Sequence, residues 1–202
     1  MLRALVVLIV ILFAAAGALI YSVVSRGLSA DDEPSTVEAL LAGAMRRWAT
    51  PQAVRARTNP VPPTQAVLAE ALEHWADHCA TCHANDGSGD TEIGRGLYPR
   101  APDMRAQGTQ ALTDGELFSI IEHGIRLTGM PGWATGTAEG ERGSWGLVHF
   151  VRRLPALTPE EIERMEELNP KTPAQLREEE AVRRFLEGGT TPAAPAGPGA
   201  HH

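Results

Sequence analysis

Two cysteines and a histidine lie within five consecutive residues, Cys79-Ala80-Thr81-Cys82-His83, and the chain has no other cysteine. On a helix, thiols three residues apart lie on the same face, about one turn apart. Such a pair followed directly by histidine, C-x-x-C-H, is the attachment signature of c-type haem. Each thiol adds to one of the two vinyl groups on a haem edge, and the histidine is then held under the iron as an axial ligand. The motif predicts one covalent haem c bound by Cys79, Cys82 and His83.

Two other chemistries use the same residue types. A zinc site needs two further ligands at finger-like spacing, and the closely spaced His74 and His78 lie on the same predicted helix as the motif. A redox-active dithiol of the thioredoxin type occurs beside a βαβ unit, whereas the surrounding sequence has helical periodicity. We therefore favour haem attachment, which consumes both thiols.

Met130 is the predicted second axial ligand. It lies 47 residues after His83, in the turn-rich segment Thr128-Gly129-Met130-Pro131-Gly132-Trp133. A methionine in a Gly/Pro loop can direct its thioether sulfur at the iron, and this ligand raises the potential relative to two histidines. The metal ligands are thus predicted to be His83 and Met130. The alternatives are a histidine ligand, His123 or His149, and an open iron site.

Two further features bear on the ligation of the iron: the other methionines, and the acceptor for the second ring N–H of His83. Met104 is close to His83 in sequence and could face the haem edge, whereas Met165 lies in a predicted amphipathic helix. An axial histidine usually donates its other ring N–H to a fixed acceptor. The carbonyls of Pro99 and Pro102 are both candidates, and the sequence does not choose between them.

The N-terminal region is apolar for the length of a membrane span. Ala4 to Val24 contains 21 residues without a charge, and a helix of that length measures about 31 Å against a hydrocarbon core of roughly 30 Å. A cleaved signal peptide has a shorter apolar region and a small-residue cleavage site, but Leu28 precedes Ser29-Ala30. Residues 1–30 are predicted to be a transmembrane anchor, with a signal peptide as the alternative.

Both interpretations export the rest of the chain, and haem attachment takes place outside the cytoplasm. We expect a single-pass protein of the cytoplasmic membrane with residues 31–202 on the periplasmic, outer face.

The rest of the chain has helical periodicity and no convincing strand, so the fold class is predicted to be all-α. Residues 31–63 form a short helix, from Ser35 to Trp48, and a proline-rich linker. Residues 64–154 form the haem domain, followed by two charged helices over 155–187 and a disordered tail over 188–202. Within the haem domain we expect a helix from Thr64 to about residue 80, a loop over 84–111, a helix opened by the Thr113 capping box and a helix from Ser144 to Leu154.

The charge balance excludes some partners and favours others. The chain has a net charge of −7, and residues 61–154 hold seven arginines against twelve carboxylates. No segment is basic enough to neutralise a run of phosphates, so nucleic-acid binding is not expected. An acidic haem domain predicts redox partners, donor and acceptor, with a basic docking face and salt-sensitive association. We find no nucleophile or acid–base pair for a small-molecule substrate.

Residues 64–154 resemble a class I mono-haem cytochrome c domain, and the whole chain resembles a membrane-anchored c-type cytochrome. The resemblance is carried by the first helix with Trp75, Cys79–His83, Asn85–Asp90, Pro102-Asp103-Met104, Gly129–Trp133 and the last helix from Trp145. It implies that the first and last helices cross and that Trp133 packs near the haem propionates. Ala84 departs from the family, many members of which have glycine directly after the histidine.

These observations predict an electron-transfer protein and not an enzyme. The leading hypothesis is a one-electron carrier with His/Met-ligated haem c, relaying electrons at the outer face of a membrane. The alternative is a fixed haem c subunit of a larger membrane-bound oxidoreductase complex, because a free carrier does not need the segments 31–60 and 155–187. A third hypothesis, catalysis or sensing at an open iron, requires Met130 to be absent from the iron.

Overall fold

The computed structural model describes residues 2–27, 29–30 and 32–187. Within these residues every regular element is helical and no strand occurs, which confirms the all-α prediction. The α-helices are α1 (Leu2–Arg26), α2 (Thr36–Ala49), α3 (Gln52–Arg55), α4 (Gln65–His74), α5 (Ala80–His83), α6 (Glu92–Arg95), α7 (Gln107–Gln110), α8 (Asp114–His123), α9 (Ala138–Arg153), α10 (Pro159–Leu168) and α11 (Pro173–Leu186). A π-helical turn, Trp75–Cys79, joins α4 to α5, and a 3₁₀ turn, Leu154–Ala156, follows α9.

The N-terminal helix α1 contains an apolar stretch, Leu2–Ser22, that is long enough to cross a membrane, and none of its residues is buried within the chain. This helix fits the predicted membrane anchor. The predicted disordered tail, 188–202, and Leu28 of the alternative signal-peptide site lie outside the described residues.

Side-chain caps set where the helices begin, as the sequence predicts. The Val67 N–H donates to Thr64 Oγ1 (3.3 Å) at the start of α4. Capping boxes with both hydrogen bonds open α2, α8, α10 and α11, at Ser35, Thr113, Thr158 and Thr172. Each cap satisfies backbone N–H groups that have no partner within the helix.

Helix α9 begins at Ala138, six residues earlier than the predicted start at Ser144, so that prediction was wrong. Thr137 is the N-cap and its Oγ1 accepts from the Gly140 N–H (3.1 Å). The glycines of this first part weaken intrinsic helix propensity, which hides the start from a periodicity argument. Ser144 is buried instead, and its hydroxyl donates to Glu122 Oε1 (2.6 Å).

The region 84–111 is not only loop, because it contains the one-turn helices α6 and α7. Helix α6 begins at the Thr91 cap, where Thr91 Oγ1 accepts from the Gly94 N–H (2.8 Å). A single helical turn is too short to produce apolar periodicity, which is why the sequence did not reveal either helix.

The core forms where α9 packs against α4. At the contact, a Cβ on Gly146 would lie 3.4 Å from Val67 Cγ1 and 3.8 Å from Ala71 Cβ. These are ordinary van der Waals distances, so α9 lies directly against α4 at this position. Around this contact the largest fully buried side chains are Trp75, Trp145, Phe150, Met165, Val148 and Val151. The predicted buried stripe, Leu147, Phe150, Val151 and Leu154, is confirmed, although Leu154 belongs to the 3₁₀ turn and not to α9.

Residues 52–61, which we call the strap, bind to the outside of α8 and α9. The Arg57 guanidinium lies over the Phe118 ring (4.4 Å) and the Trp145 ring (5.1 Å). Asn59 Nδ2 donates to the Trp145 carbonyl (2.9 Å). Most of this segment lies in the stretch predicted to be a linker, and these contacts attach it to the helical core.

The two C-terminal helices differ in how they contact the rest of the chain. Met165 of α10 is 0% exposed and belongs to the main hydrophobic cluster, and Arg153 of α9 pairs with Glu161 of α10 (2.7 Å). In α11, by contrast, none of its residues, all of them described, is buried. Helix α10 is therefore part of the core, whereas α11 adds nothing to it.

We expect Met165→Ala to lower the free energy of unfolding by about 2–5 kcal/mol, because it leaves a cavity in a closed core. Leu176→Ala in α11 is the matched control, since Leu176 is 49% exposed, and should change stability by less than about 0.5 kcal/mol. Urea unfolding of the two variants measures both values. Equal, small effects would contradict the assignment of α10 to the core.

Candidate functional site

The C-x-x-C-H motif lies at the end of a helix that changes its winding. Helix α4 ends at His74, the π-turn covers Trp75–Cys79, and α5 completes the motif. The Ala80 N–H donates to the Trp75 carbonyl, five residues back. Such π-turns are frequent at functional sites. The prediction of one regular helix to about residue 80 is therefore right in extent but wrong in winding.

His83 is in the state that a metal ligand requires. Burial lowers its pKa, so the imidazole is neutral at pH 7 and has a lone pair to offer. Its Nδ1 is buried and has no hydrogen-bond partner in the described residues. Neither of the two candidate acceptors, the Pro99 and Pro102 carbonyls, therefore accepts from it.

The two thiols are close to His83 and are not joined to each other. Burial, and then the neighbouring Cys82, raises the pKa of Cys79 to about 12, and burial raises the pKa of Cys82. Reactive cysteines of dithiol oxidoreductases have lowered pKa values. The motif thus lacks the thiol environment that is typical of a redox-active dithiol.

The turn after His83 is held by Trp75. The Trp75 ring centroid lies 5.9 Å from that of His83, and Trp75 Nε1 donates to the Ala84 carbonyl (3.1 Å). Ala84 has φ 61° and ψ 161°, a conformation that is essentially restricted to glycine. This explains why many members of the resembled family have glycine after the histidine.

The segment after the motif folds back onto α5. The Gly89 N–H donates to the His83 carbonyl (2.9 Å), and Thr91 Oγ1 donates to the Thr81 carbonyl (2.9 Å). A Cβ on Gly94 would lie 2.4 Å from the Cys82 carbonyl oxygen, so only glycine fits between α6 and the motif.

An ionic cluster stabilises the turn that follows. Arg105 donates to Asp86 Oδ2 (2.7 Å) and to Asp103 Oδ1 (2.9 Å). Burial would raise the pKa of Asp86, but hydrogen bonds from Ser88 and the charge of Arg105 outweigh it and hold that pKa below its usual value. Both carboxylates are therefore charged at neutral pH and hold the loop through Arg105.

The Met130 loop is attached to the end of α8. The Ile125 N–H donates to the Met130 carbonyl (3.1 Å), and the Met130 N–H donates to Thr128 Oγ1 (3.1 Å). Gly124 has φ +67°, and a Cβ there would lie 2.5 Å from the Met130 carbonyl oxygen. The loop therefore requires glycine at this position for two reasons.

A chain of contacts joins the Met130 loop to the motif. A Cβ on Gly129 would lie 2.5 Å from Leu97 Cδ2, and Leu97 closely follows α6, which rests on the Cys82 carbonyl through Gly94. The structure thus brings the loop that holds Met130 against the segment that packs on Cys82 and His83.

Exposed apolar side chains mark the same two loops. Within residues 64–154, all of them described, the large apolar side chains that are exposed are Ile93 (50%), Tyr98 (39%) and Leu127 (92%). They belong to the segments around α6 and before Met130. A large apolar group such as haem, held by Cys79, Cys82 and His83, fits these surroundings. It would cover the exposed apolar side chains and use the two unpaired thiols and the imidazole of His83.

The other candidate ligands have different surroundings. Met104 packs partly buried against the hydrophobic cluster, and Met165 is inside it. His149 Nε2 donates to the Val61 carbonyl (2.7 Å), while His74 and His78 stack on each other with ring centroids 4.8 Å apart. Among the described residues, no group of three or more His, Cys, Asp and Glu side chains could hold a metal ion. Ligation by His83 and Met130, and attachment at Cys79 and Cys82, stay predictions.

Sequence reasoning did not predict the close contacts that hold the site together. Leu97, Gly94 and Gly124 each lie at a close contact, but a glycine or leucine in a loop has no pattern that reveals its neighbours. The departure at Ala84 was visible, and its positive φ could have been inferred from the glycine of the resembled family.

We expect Ala84→Gly to raise the free energy of unfolding by about 1 kcal/mol, because it relieves a conformation that costs alanine roughly 1–3 kcal/mol. Ala80→Gly is the control, since Ala80 lies in helix α5 and glycine should lower stability there by about 1 kcal/mol. Guanidinium unfolding of the haem-loaded protein measures both changes. A loss of stability in both variants would contradict the strained conformation at Ala84.

Residues 66–151 match the sequence model of a family described as cytochrome c oxidase, cbb3-type, subunit III. No curated protein matches the chain. The matched range contains the motif, Met130 and most of the helical core around them. The chain therefore contains a mono-haem cytochrome c domain, an electron-transfer module with a covalent c-type haem, and begins with an apolar helix that fits a membrane anchor.

Proposed function

We propose that the protein is a membrane-anchored one-electron carrier, with the haem bound by thioethers to Cys79 and Cys82 and its iron held by His83 and Met130. The haem, when bound, supplies a couple between ferric and ferrous iron. The observation that carries the proposal is the contact between the Met130 loop and the segment packed on the motif, through Gly129 and Leu97.

The surroundings of the methionines support Met130 as the ligand. Met165 is enclosed in the core, and Met104 packs against it. Met45 is 66% exposed on α2, outside the matched cytochrome c range. Met130 is only partly buried and its backbone is fixed on both sides by hydrogen bonds, so its side chain is available while its position is held.

The residues around the site keep its geometry constant during electron transfer. Trp75, through the Ala84 carbonyl, fixes the turn after His83, and Gly124 fixes the loop before Met130. Ile93, Tyr98 and Leu127 provide apolar surface that excludes water from a bound haem. Axial ligands that move little between the ferric and ferrous states lower the reorganisation energy of electron transfer.

We expect Met130→Ala to abolish the absorption band for sulfur-to-iron charge transfer and to lower the reduction potential by on the order of 0.1 V, within the roughly 0.8 V range set by axial ligands. Optical and paramagnetic resonance spectra of both oxidation states, with a redox titration, measure this. Met104→Ala is the matched control and should keep the band. Loss of the band in the control alone would overturn the ligand assignment.

A high-spin wild-type protein that binds small ligands would instead support catalysis or sensing at an open iron. The same spectra of the wild type decide between the two hypotheses before any variant is made.

For location, we infer that α1 spans the cytoplasmic membrane once and that the haem domain lies on the periplasmic side, where haem attachment takes place.

The excess of carboxylates between residues 61 and 154 favours donors and acceptors with a basic docking face. Rates of electron exchange should then fall with increasing salt, because screening weakens the attraction between the partners.

A second candidate function is a fixed haem subunit of a membrane-bound oxidoreductase. The matched family is described as a subunit of an oxidase, and α11 exposes Leu176 (49%), Val182 (53%) and Phe185 (59%). Such side chains suit contact with another subunit.

Purification in mild detergent distinguishes the two functions. A stable complex that dissociates in Phe185→Glu but not in Glu178→Gln, a polar control on the same helix, would favour the subunit. A monomer in all three proteins would favour the carrier.

A further inference from the structure

Helix α2 has an apolar face that nothing in the described chain covers. None of its fourteen residues, all of which the structure describes, is buried. On one side lie Val37, Leu40, Leu41, Met45 and Trp48, with 62%, 69%, 59%, 66% and 87% of their surface exposed. A helix with one fully exposed apolar face normally has a partner.

The opposite face of α2 is polar or small. At 100° per residue, Ala39, Gly43 and Arg46 lie opposite Leu41 and Trp48. Arg46 and Arg47 occupy the last turn, against a single acidic residue, Glu38, in the first. An amphipathic helix with arginines and a tryptophan has the composition of helices that lie in the membrane interface.

The position of α2 in the chain determines which partner is within reach. Helix α1, with the candidate membrane span, ends at Arg26, and α2 begins at Thr36. The nine residues between them reach about 30 Å at most when fully extended. With α1 in a bilayer, α2 therefore stays within about 30 Å of the lipid headgroups and can reach them.

We propose that α2 lies flat in the membrane interface, with its apolar face in the lipid and its arginines near anionic headgroups. Tryptophan favours this depth because its ring is amphipathic. Arginine close to an anionic surface is attracted to it. The inference rests on the proposed membrane anchoring of the chain by α1.

Because α2 is attached to the haem domain, its contact with the membrane would also orient that domain. Arg55 Nη1 donates to the Arg47 carbonyl at the end of α2 (3.1 Å), and the strap continues to Arg57 and Asn59 on α8 and α9. Glu33, before α2, lies 3.7 Å from Arg100 of the haem domain. A flat α2 therefore limits rotation of the haem domain above the membrane and restricts which of its faces meets a partner.

Spin labels on introduced cysteines test this in the full, haem-loaded chain, where the native thiols are blocked by haem attachment. Leu41→Cys reports the apolar face, Ala39→Cys the opposite face and Gly17→Cys the anchor, each in vesicles of phosphatidylcholine and phosphatidylglycerol. Collisions with oxygen, which concentrates in lipid, are compared with collisions with a water-soluble nickel chelate.

We expect the label at residue 41 to be reached by oxygen and not by nickel, at a depth of about 5–10 Å below the headgroups. The label at residue 39 should be reached by nickel. The label at residue 17, five residues before the end of the apolar stretch at Ser22 and hence about 7–8 Å inside it, should also be reached by oxygen and not by nickel.

Two results at residue 41 would overturn the inference while residue 17 stays in lipid. Free access of nickel would mean that the face is in water, and exclusion of both reagents would mean that protein covers it, from a second copy or another subunit. Access of nickel to residue 17 would instead refute the anchor, and the inference would fall with it.

Discussion

The packing of α9 against α4, around Gly146, is the contact on which the rest of the haem domain depends. It buries Trp75, whose indole N–H then reaches the Ala84 carbonyl and fixes the turn after His83. The same packing orients the π-turn and α5, so that Cys79 and Cys82 keep their spacing. A bulky residue at this glycine would separate the helices and move the whole attachment segment.

Elements outside the cytochrome c domain divide into those that complete its core and those that face outward. The strap and α10 belong to the first group: Arg57 covers two aromatic rings, and Met165 fills the core. Helices α2 and α11 belong to the second group, since neither has a buried residue. The helices without a buried residue therefore lie towards the two ends of the described chain, and the C-x-x-C-H motif lies between them in the sequence.

The site itself combines a rigid frame with conformations that alanine or larger residues tolerate poorly. Gly124 and Gly94 each lie where a Cβ would clash with backbone, at Met130 and Cys82 respectively. Ala84 adopts a conformation typical of glycine. Held in this way, the two predicted axial ligands come from separate segments that are joined through Leu97, so the spacing of His83 and Met130 depends on loop packing as much as on helices.

The amino-acid sequence by itself determined the chemistry and the helical class. The C-x-x-C-H motif involves adjacent residues, and caps such as Thr113 act within one helical turn. Because both features are local, both can be predicted from the sequence. Only the tertiary structure decided that α10 belongs to the core and that Leu97 meets Gly129. These contacts join residues distant in sequence, and glycines that permit close packing have no periodic signal. That His83 Nδ1 has no hydrogen-bond partner among the described residues depends on such packing and was for the same reason not predictable.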